Sequence, residues 1–243
     1  MKKLLCVLLA LLLALSFAAC SKGKDADDDL SKYLQDEEVI EKIKLENGDV
    51  FYLESVDTVT LIVTGYESSH ELHELTIPDT LAGKKVIGIG PQAFYYCNSL
   101  TSVTIPDTVI SIGNYAFAAC SFLETVTIPA SVKTLGTGAF CRCEKLSSLT
   151  FSEGGALEEI PEACFWDCAA LTQVTIPSYI NLIGKGAFYG CTELATLVVE
   201  DSETPVEIRD QAFQNLPKLV NVTLPENATF APLSFAGTPF VEE

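Results

Sequence analysis

Two histidines, one tryptophan and one methionine among 243 residues leave little raw material for catalysis or metal chemistry. Histidine is the usual acid–base group and a common transition-metal ligand, so most such constellations cannot be assembled. Positive charge is scarce too: 15 Lys and Arg face 33 Asp and Glu, a formal charge of −18. A surface of that sign repels phosphate backbones and anionic bilayers, which removes nucleic acid as a primary partner. No G-x-S-x-G, phosphate-binding loop or dinucleotide fingerprint occurs. Long hydrophobic runs are missing with one exception, the 12 apolar residues 4–15 behind Lys2 and Lys3. That run is too short to span a bilayer and suits the central region of a signal peptide. Together these absences argue against an enzyme, a bound metal or a cofactor.

What is present begins with an address. The run ends in Leu15-Ser16-Phe17-Ala18-Ala19-Cys20, which resembles the lipobox of bacterial lipoproteins. The resemblance implies cleavage before Cys20, acylation of its sulfur and contact with a membrane through that anchor alone. Phe17 departs from the usual aliphatic residue, and plain secretion after Ala19 is the alternative. Residues 1–19 are thus read as a signal peptide. Residues 20–38 are read as an acidic flexible tether, because the stretch around Asp25, Asp27, Asp28 and Asp29 has too little apolar surface to order itself. Residues 39–71 turn to a β pattern with Asn47-Gly48 between apolar runs, a hairpin signal, and are read as an N-terminal β capping segment.

From residue 72 to 243 the chain repeats. Ala93-Phe94-Tyr-Tyr-Cys97 returns as Ala116-Phe117-Ala-Ala-Cys120, Ala139-Phe140-Cys-Arg-Cys143, Cys164-Phe165-Trp-Asp-Cys168 and Ala187-Phe188-Tyr-Gly-Cys191. Degraded copies follow at Phe213 and Phe235, and the phenylalanines are 23, 23, 25, 23, 25 and 22 residues apart. A near-constant period of this length is the mark of a solenoid. Between the copies sits L-x-x-V-x-I-P, as in Leu100-Thr-Ser-Val103-Thr-Ile105-Pro106 and Leu171-Thr-Gln-Val174-Thr-Ile176-Pro177. In a strand, alternation turns Val103 and Ile105 inward and Ser102 and Thr104 outward. The apolar pair before Gly113 or Gly136 returns the chain, and Phe and Cys fill the remaining inner corner.

These motifs resemble the BspA-type leucine-rich repeats of bacterial surface proteins over residues 58 to about 238. The resemblance implies an α/β fold: a right-handed leucine-rich repeat solenoid of about seven coils of 22–25 residues, β-rich with short helical turns and an N-terminal β-hairpin cap. It also implies adhesion outside the cell, with an extracellular protein or glycan as ligand. Two competing readings are a structural envelope spacer without a specific ligand and an accessory glycan-binding lipoprotein.

Candidate positions follow from the register. Phe94, Cys97, Phe117, Cys120, Phe140, Cys143, Phe165, Cys168, Phe188 and Cys191 form a structural ladder. With no C-x-x-C pair, and with Leu216 and Thr238 at the same position later, the cysteines read as buried packing side chains rather than disulfides or thiolate ligands. Cys141 falls outside the ladder and is expected to be the most accessible thiol. Outward threonines at 76, 104, 127, 150, 175 and 223, interrupted by Val198, form a column beside His73, Glu74, Ser102, Glu124, Thr125, Ser148, Gln173 and Asn221. Thr104, Glu124, Thr127, Thr150, Gln173 and Thr175 are the candidate ligand contacts on that face, although sheet propensity alone accounts for threonine there. Tyr95, Trp166 and Tyr189 form a second, aromatic column, read either as binding anchors or as packing against the neighbouring coil. His70-x-x-His73 would suit zinc on a helix. In this register His73 opens a strand and His70 lies in the loop before it, so no metal site is expected.

Overall fold

The computed structural model describes residues 41–68 and 70–240. The segments read from sequence as a signal peptide (residues 1–19) and an acidic tether (residues 20–38, beginning at Cys20) lie outside the described residues.

The asparagine–glycine turn and the alternating segments beside it start the fold. Strands β1 (Glu41–Lys44) and β2 (Val50–Ser55) pair antiparallel around Asn47-Gly48, where Gly48 takes φ of 95°. Strand β3 (Thr60–Glu67) returns antiparallel along β2 with a bulge at Tyr52/Leu53. The first coil adds β4 (His73–Thr76), β5 (Thr80–Leu81) and β6 (Lys84–Ile89). Each later coil contributes one strand of three to five residues and one of two. They are β7 (Leu100–Thr104) and β8 (Ser111–Ile112), β9 (Thr125–Ile128) and β10 (Thr134–Leu135), β11 (Ser148–Phe151) and β12 (Glu159–Ile160). The last three coils hold β13 (Gln173–Ile176) and β14 (Leu182–Ile183), β15 (Thr196–Val199) and β16 (Glu207–Ile208), β17 (Asn221–Thr223) and β18 (Thr229–Phe230).

Parallel pairing from coil to coil builds a β-solenoid of about seven turns. One face runs β4-β7-β9-β11 and resumes as β13-β15-β17; the other runs β1-β2-β3-β6-β8-β10 and resumes as β12-β14-β16-β18. Both faces break at the coil that carries the Gly154-Gly155 insertion. Tyr179 spans that place: its ring lies where a Cβ on Gly155 would sit, and its hydroxyl donates to Ser152 O at 2.7 Å.

Two expectations need correction. The expected Asn47-Gly48 hairpin forms as β1 and β2, but it is not a separate cap: β3 extends it into an antiparallel meander and pairs in parallel with β6, so these strands continue the repeat's own sheet. The fold is also not α/β, because the described residues contain no helix and the expected short helical turns are absent.

The corner backbone explains the missing helices. The residue before Ala and the residue before Cys both adopt left-handed backbone, as at Tyr115 (56°) and Ala119 (59°), or Ala163 (54°) and Asp167 (56°). An α-helix needs consecutive right-handed residues, each N–H bonding within the chain. Here successive N–H groups alternate between partners. Phe117 N donates to Ala139 O of the next coil at 2.7 Å, Ala118 N to Tyr115 O of its own turn at 3.1 Å, and Ala119 N to Cys141 O of the next coil at 2.8 Å. Half the helical bonds are thereby exchanged for a third ladder between coils. Non-glycine residues at positive φ carry strain of roughly 1–3 kcal/mol each, which this ladder offsets.

The interior follows the alternation. Val103, Val126, Leu149, Val174 and Leu197 are buried behind the first face, and the corner phenylalanines from Phe94 to Phe213 are fully buried, with Phe235 half-buried at the end of the row. At the return, Gly136 is required: a Cβ there would meet Asn114 N at 2.2 Å, far inside van der Waals contact.

Candidate functional site

The polar face is set by strand alternation. Residues 125–128 run exposed, buried, exposed, buried, and residues 148–151 and 173–176 repeat the order. Pairing then fixes the columns: Thr76 lies beside Thr104, Thr127 beside Thr150, and Thr175 beside Val198, which in turn lies beside Thr223. The neighbouring column pairs Glu74 with Ser102, Ser102 with Thr125 and Thr125 with Ser148, then Gln173 with Thr196 and Thr196 with Asn221. Thr104, Thr127, Thr150, Gln173 and Thr175 are exposed. Glu124 is exposed immediately ahead of β9, with its backbone N donating to Thr101 O. The strand break leaves Thr150 and Thr175 without backbone pairing between them.

Behind that face stands the ring ladder. Phe94, Phe117, Phe140, Phe165, Phe188, Phe213 and Phe235 stack at centroid separations of 4.8, 5.1, 5.6, 5.2, 5.3 and 5.2 Å, all within 15° of parallel. The ladder ends on tilted rings, Tyr66 at 5.1 Å and 35° before Phe94, and Phe240 at 5.0 Å and 56° after Phe235.

The cysteines do more than fill space. Cys120 Sγ donates to Phe94 O at 3.1 Å, Cys143 to Phe117 O at 3.3 Å, Cys168 to Phe140 O at 3.3 Å and Cys191 to Phe165 O at 3.2 Å. Each thiol ties its coil to the phenylalanine carbonyl of the coil before. The described cysteines are free and mostly buried, in keeping with packing side chains rather than disulfides, and the thiol adds a weak donor to its small volume. Burial pushes the thiols of Cys120, Cys143, Cys168 and Cys191 well above their ordinary value, so they stay protonated donors. Cys97 is half-buried at the head of this column. Cys141 is also half-buried, and burial pushes its thiol up to about 11, which suppresses the nucleophilic thiolate at neutral pH.

The aromatic column is discontinuous. Trp166 and Tyr189 stack at 4.1 Å and 20°, with Trp166 lying over Gly186, whereas Tyr95 is followed in the next coil by the buried Ala118 and then by Cys141. Two rings that spend their faces on each other match the packing reading, and Tyr95 instead approaches Tyr96 at 6.3 Å.

One grouping was not visible in the repeat. The pairing of Val50 with Glu67 brings Asp49 to the segment just beyond β3, where His70 Nδ1 lies 3.4 Å from Asp49 Oδ1. His73 joins them, so both histidines converge without sharing a helix.

Comparison with known proteins was made on this geometry. The BspA type leucine rich repeat region matches in six copies over residues 64–195 and 158–239. Comparison with curated proteins returns no match. A leucine-rich repeat protein of T. pallidum superposes with a TM-score of 0.66 at 28% identity, covering 74% of this chain and 82% of its own. A leucine-rich repeat protein from Eubacterium ventriosum gives 0.69 at 23% identity, covering 83% of this chain, which spans only 51% of that protein. Pneumococcal vaccine antigen PcpA gives 0.51 at 20% identity over 79% of this chain and 72% of its own, a likeness of fold alone. With six repeat copies over most of its length and a solenoid that superposes on solved repeat proteins, this chain belongs to the BspA-type leucine-rich repeat family.

Proposed function

We propose that the chain is exported, anchored by a lipid on Cys20, and binds an extracellular protein through the exposed polar columns of its longer strands. Membership in a leucine-rich repeat family suggests a protein–protein interaction role in general, and such scaffolds are generally not enzymes. The observation that carries the reading is the register: hydroxyl and amide side chains repeat in line across Thr76–Thr104 and Thr127–Thr150, presenting a flat, hydrogen-bonding face. Such a face offers many donors and acceptors and little apolar area, so it suits a polar ligand surface held by many modest contacts. Glu74 and Glu124 add negative charge at its rim, which favours a neutral or basic partner.

The test is a binding panel of residues 22–243 against immobilised matrix proteins, serum proteins and glycans at two salt concentrations. Saturable binding to a protein, weakened by Thr127→Lys and Thr150→Lys, supports the reading. Silence across the panel favours an envelope spacer, and binding to glycans alone favours the accessory lipoprotein.

A further inference from the structure

We propose that Asp49, His70 and His73 hold a divalent transition-metal ion of the zinc class, at the junction between the N-terminal strands and the first coil. Each of the three offers a ligand atom, and these atoms all lie within 4.8 Å of one another. They come from three separate segments: the turn after Asn47-Gly48, the loop beyond β3 and the first residue of β4.

The polar atoms are otherwise badly placed. Asp49 is fully buried, and its Oδ1 makes no hydrogen bond, while Oδ2 accepts from Asn47 Nδ2 at 2.8 Å. A buried carboxylate without a positive partner is costly. No Lys or Arg pairs with Asp49 among the described residues; the imidazole of His70 stands 3.4 Å from it, and the neutral Tyr66 hydroxyl also acts on it. His73 carries a second orphan, Nδ1, which is buried without a hydrogen-bond partner. Its other nitrogen, Nε2, lies 2.7 Å from the Tyr66 hydroxyl. If Nε2–H donates to that hydroxyl, Nδ1 is left with a lone pair for a metal, the arrangement in which an outer partner fixes the tautomer of a ligating histidine.

The donor set selects the ion. Two imidazole nitrogens and one carboxylate oxygen are the ligands of a zinc-type centre, whereas calcium and magnesium want an oxygen shell and copper(I) wants thiolate. Tetrahedral bonds of about 2.0–2.1 Å separate ligand atoms by roughly 3.4 Å; Asp49 Oδ1 and His70 Nδ1 already stand 3.4 Å apart, and the longer separations in the trio, all within 4.8 Å, must close by about an ångström. His70 has room to do so, because its side chain is 43% exposed and its present partner is the Ser68 hydroxyl at 3.0 Å. The fourth position is left to water or to a ligand group. An ion here would staple three segments that the repeat itself does not tie together, and would add a cation to a strongly acidic chain.

The experiment is calorimetric titration of the full metal-stripped chain with Zn2+, with Co2+ absorption as the coordination readout and thermal unfolding as the third. The expected result is one Zn2+ per chain, a melting temperature several degrees higher at saturation and reversal by chelator. His70→Ala removes an exposed ligand without touching the core and should weaken binding at least tenfold; Asp49→Asn keeps the shape and should do the same. If Asp49→Asn fails to fold, His70→Ala alone decides. Absence of stoichiometric Zn2+ binding overturns the proposal, and so does unchanged affinity in His70→Ala, which would locate any binding in the acidic tether.

Discussion

The corner row and the strand faces of this solenoid respond differently to the same insertion. Where Gly154-Gly155 lengthens a coil, strand pairing lapses between β10 and β12 and between β11 and β13. The corner passes through without interruption: Phe140 N donates to Cys164 O at 2.9 Å, the Phe140 and Phe165 rings stack at 5.6 Å, and Cys168 Sγ reaches Phe140 O at 3.3 Å. The widest ring spacing of the ladder falls at this step, so the insertion is felt as a few tenths of an ångström rather than as a break. The corner therefore holds coil to coil, and the face is free to vary in length and chemistry. A repeat protein that must change its ligand without losing its fold needs that division of labour.

Substitutions break the comparison in a graded way. Phe165→Ala removes a fully buried ring from the middle of the ladder and should cost about 3–5 kcal/mol in denaturant unfolding. Gly136→Ala drives a methyl into the Asn114 backbone and should cost about 1–3 kcal/mol, measured the same way. Cys168→Ala deletes the donor to Phe140 O along with a buried sulfur; a loss of about 1–2 kcal/mol is expected, with Cys168→Ser recovering part of it. The thiols also set a pH limit. Their folded values are raised by burial, so their contribution is complete below the unfolded value near 9.0 and is lost as pH rises beyond it. Thermal unfolding should therefore fall on alkaline titration above about 9, and less so in the Cys168→Ser chain. At the small end, Thr127→Ala on the exposed face should move stability by no more than about 0.5 kcal/mol.

Much of this division was legible in the sequence, because it rests on local rules. Period-two alternation at Thr125–Ile128 and the recurring phenylalanine set the strands and the stacked interior without any tertiary knowledge. What sequence missed depends on neighbours in space. Tyr115, Ala119 and Ala163 are not residues that favour left-handed backbone, and their bonds to the next coil hold them there, so the corner read as helical. The cysteine's thiol-to-carbonyl bond spans 26 residues between Cys120 and Phe94, and its signal was the choice of Cys over the bulkier Leu216. Asp49 meets His70 and His73 only through the β2–β3 register, which the repeat pattern does not contain.

The most direct test of this separation is a paired measurement on one variant, Thr127→Lys/Thr150→Lys: its melting temperature, and its affinity for the ligand that the binding panel identifies. Lost affinity with an unchanged melting temperature is the predicted result, because these side chains face outward in register and carry none of the stacking. Full affinity in a chain that melts several degrees lower would contradict it and would make the threonine columns part of the scaffold.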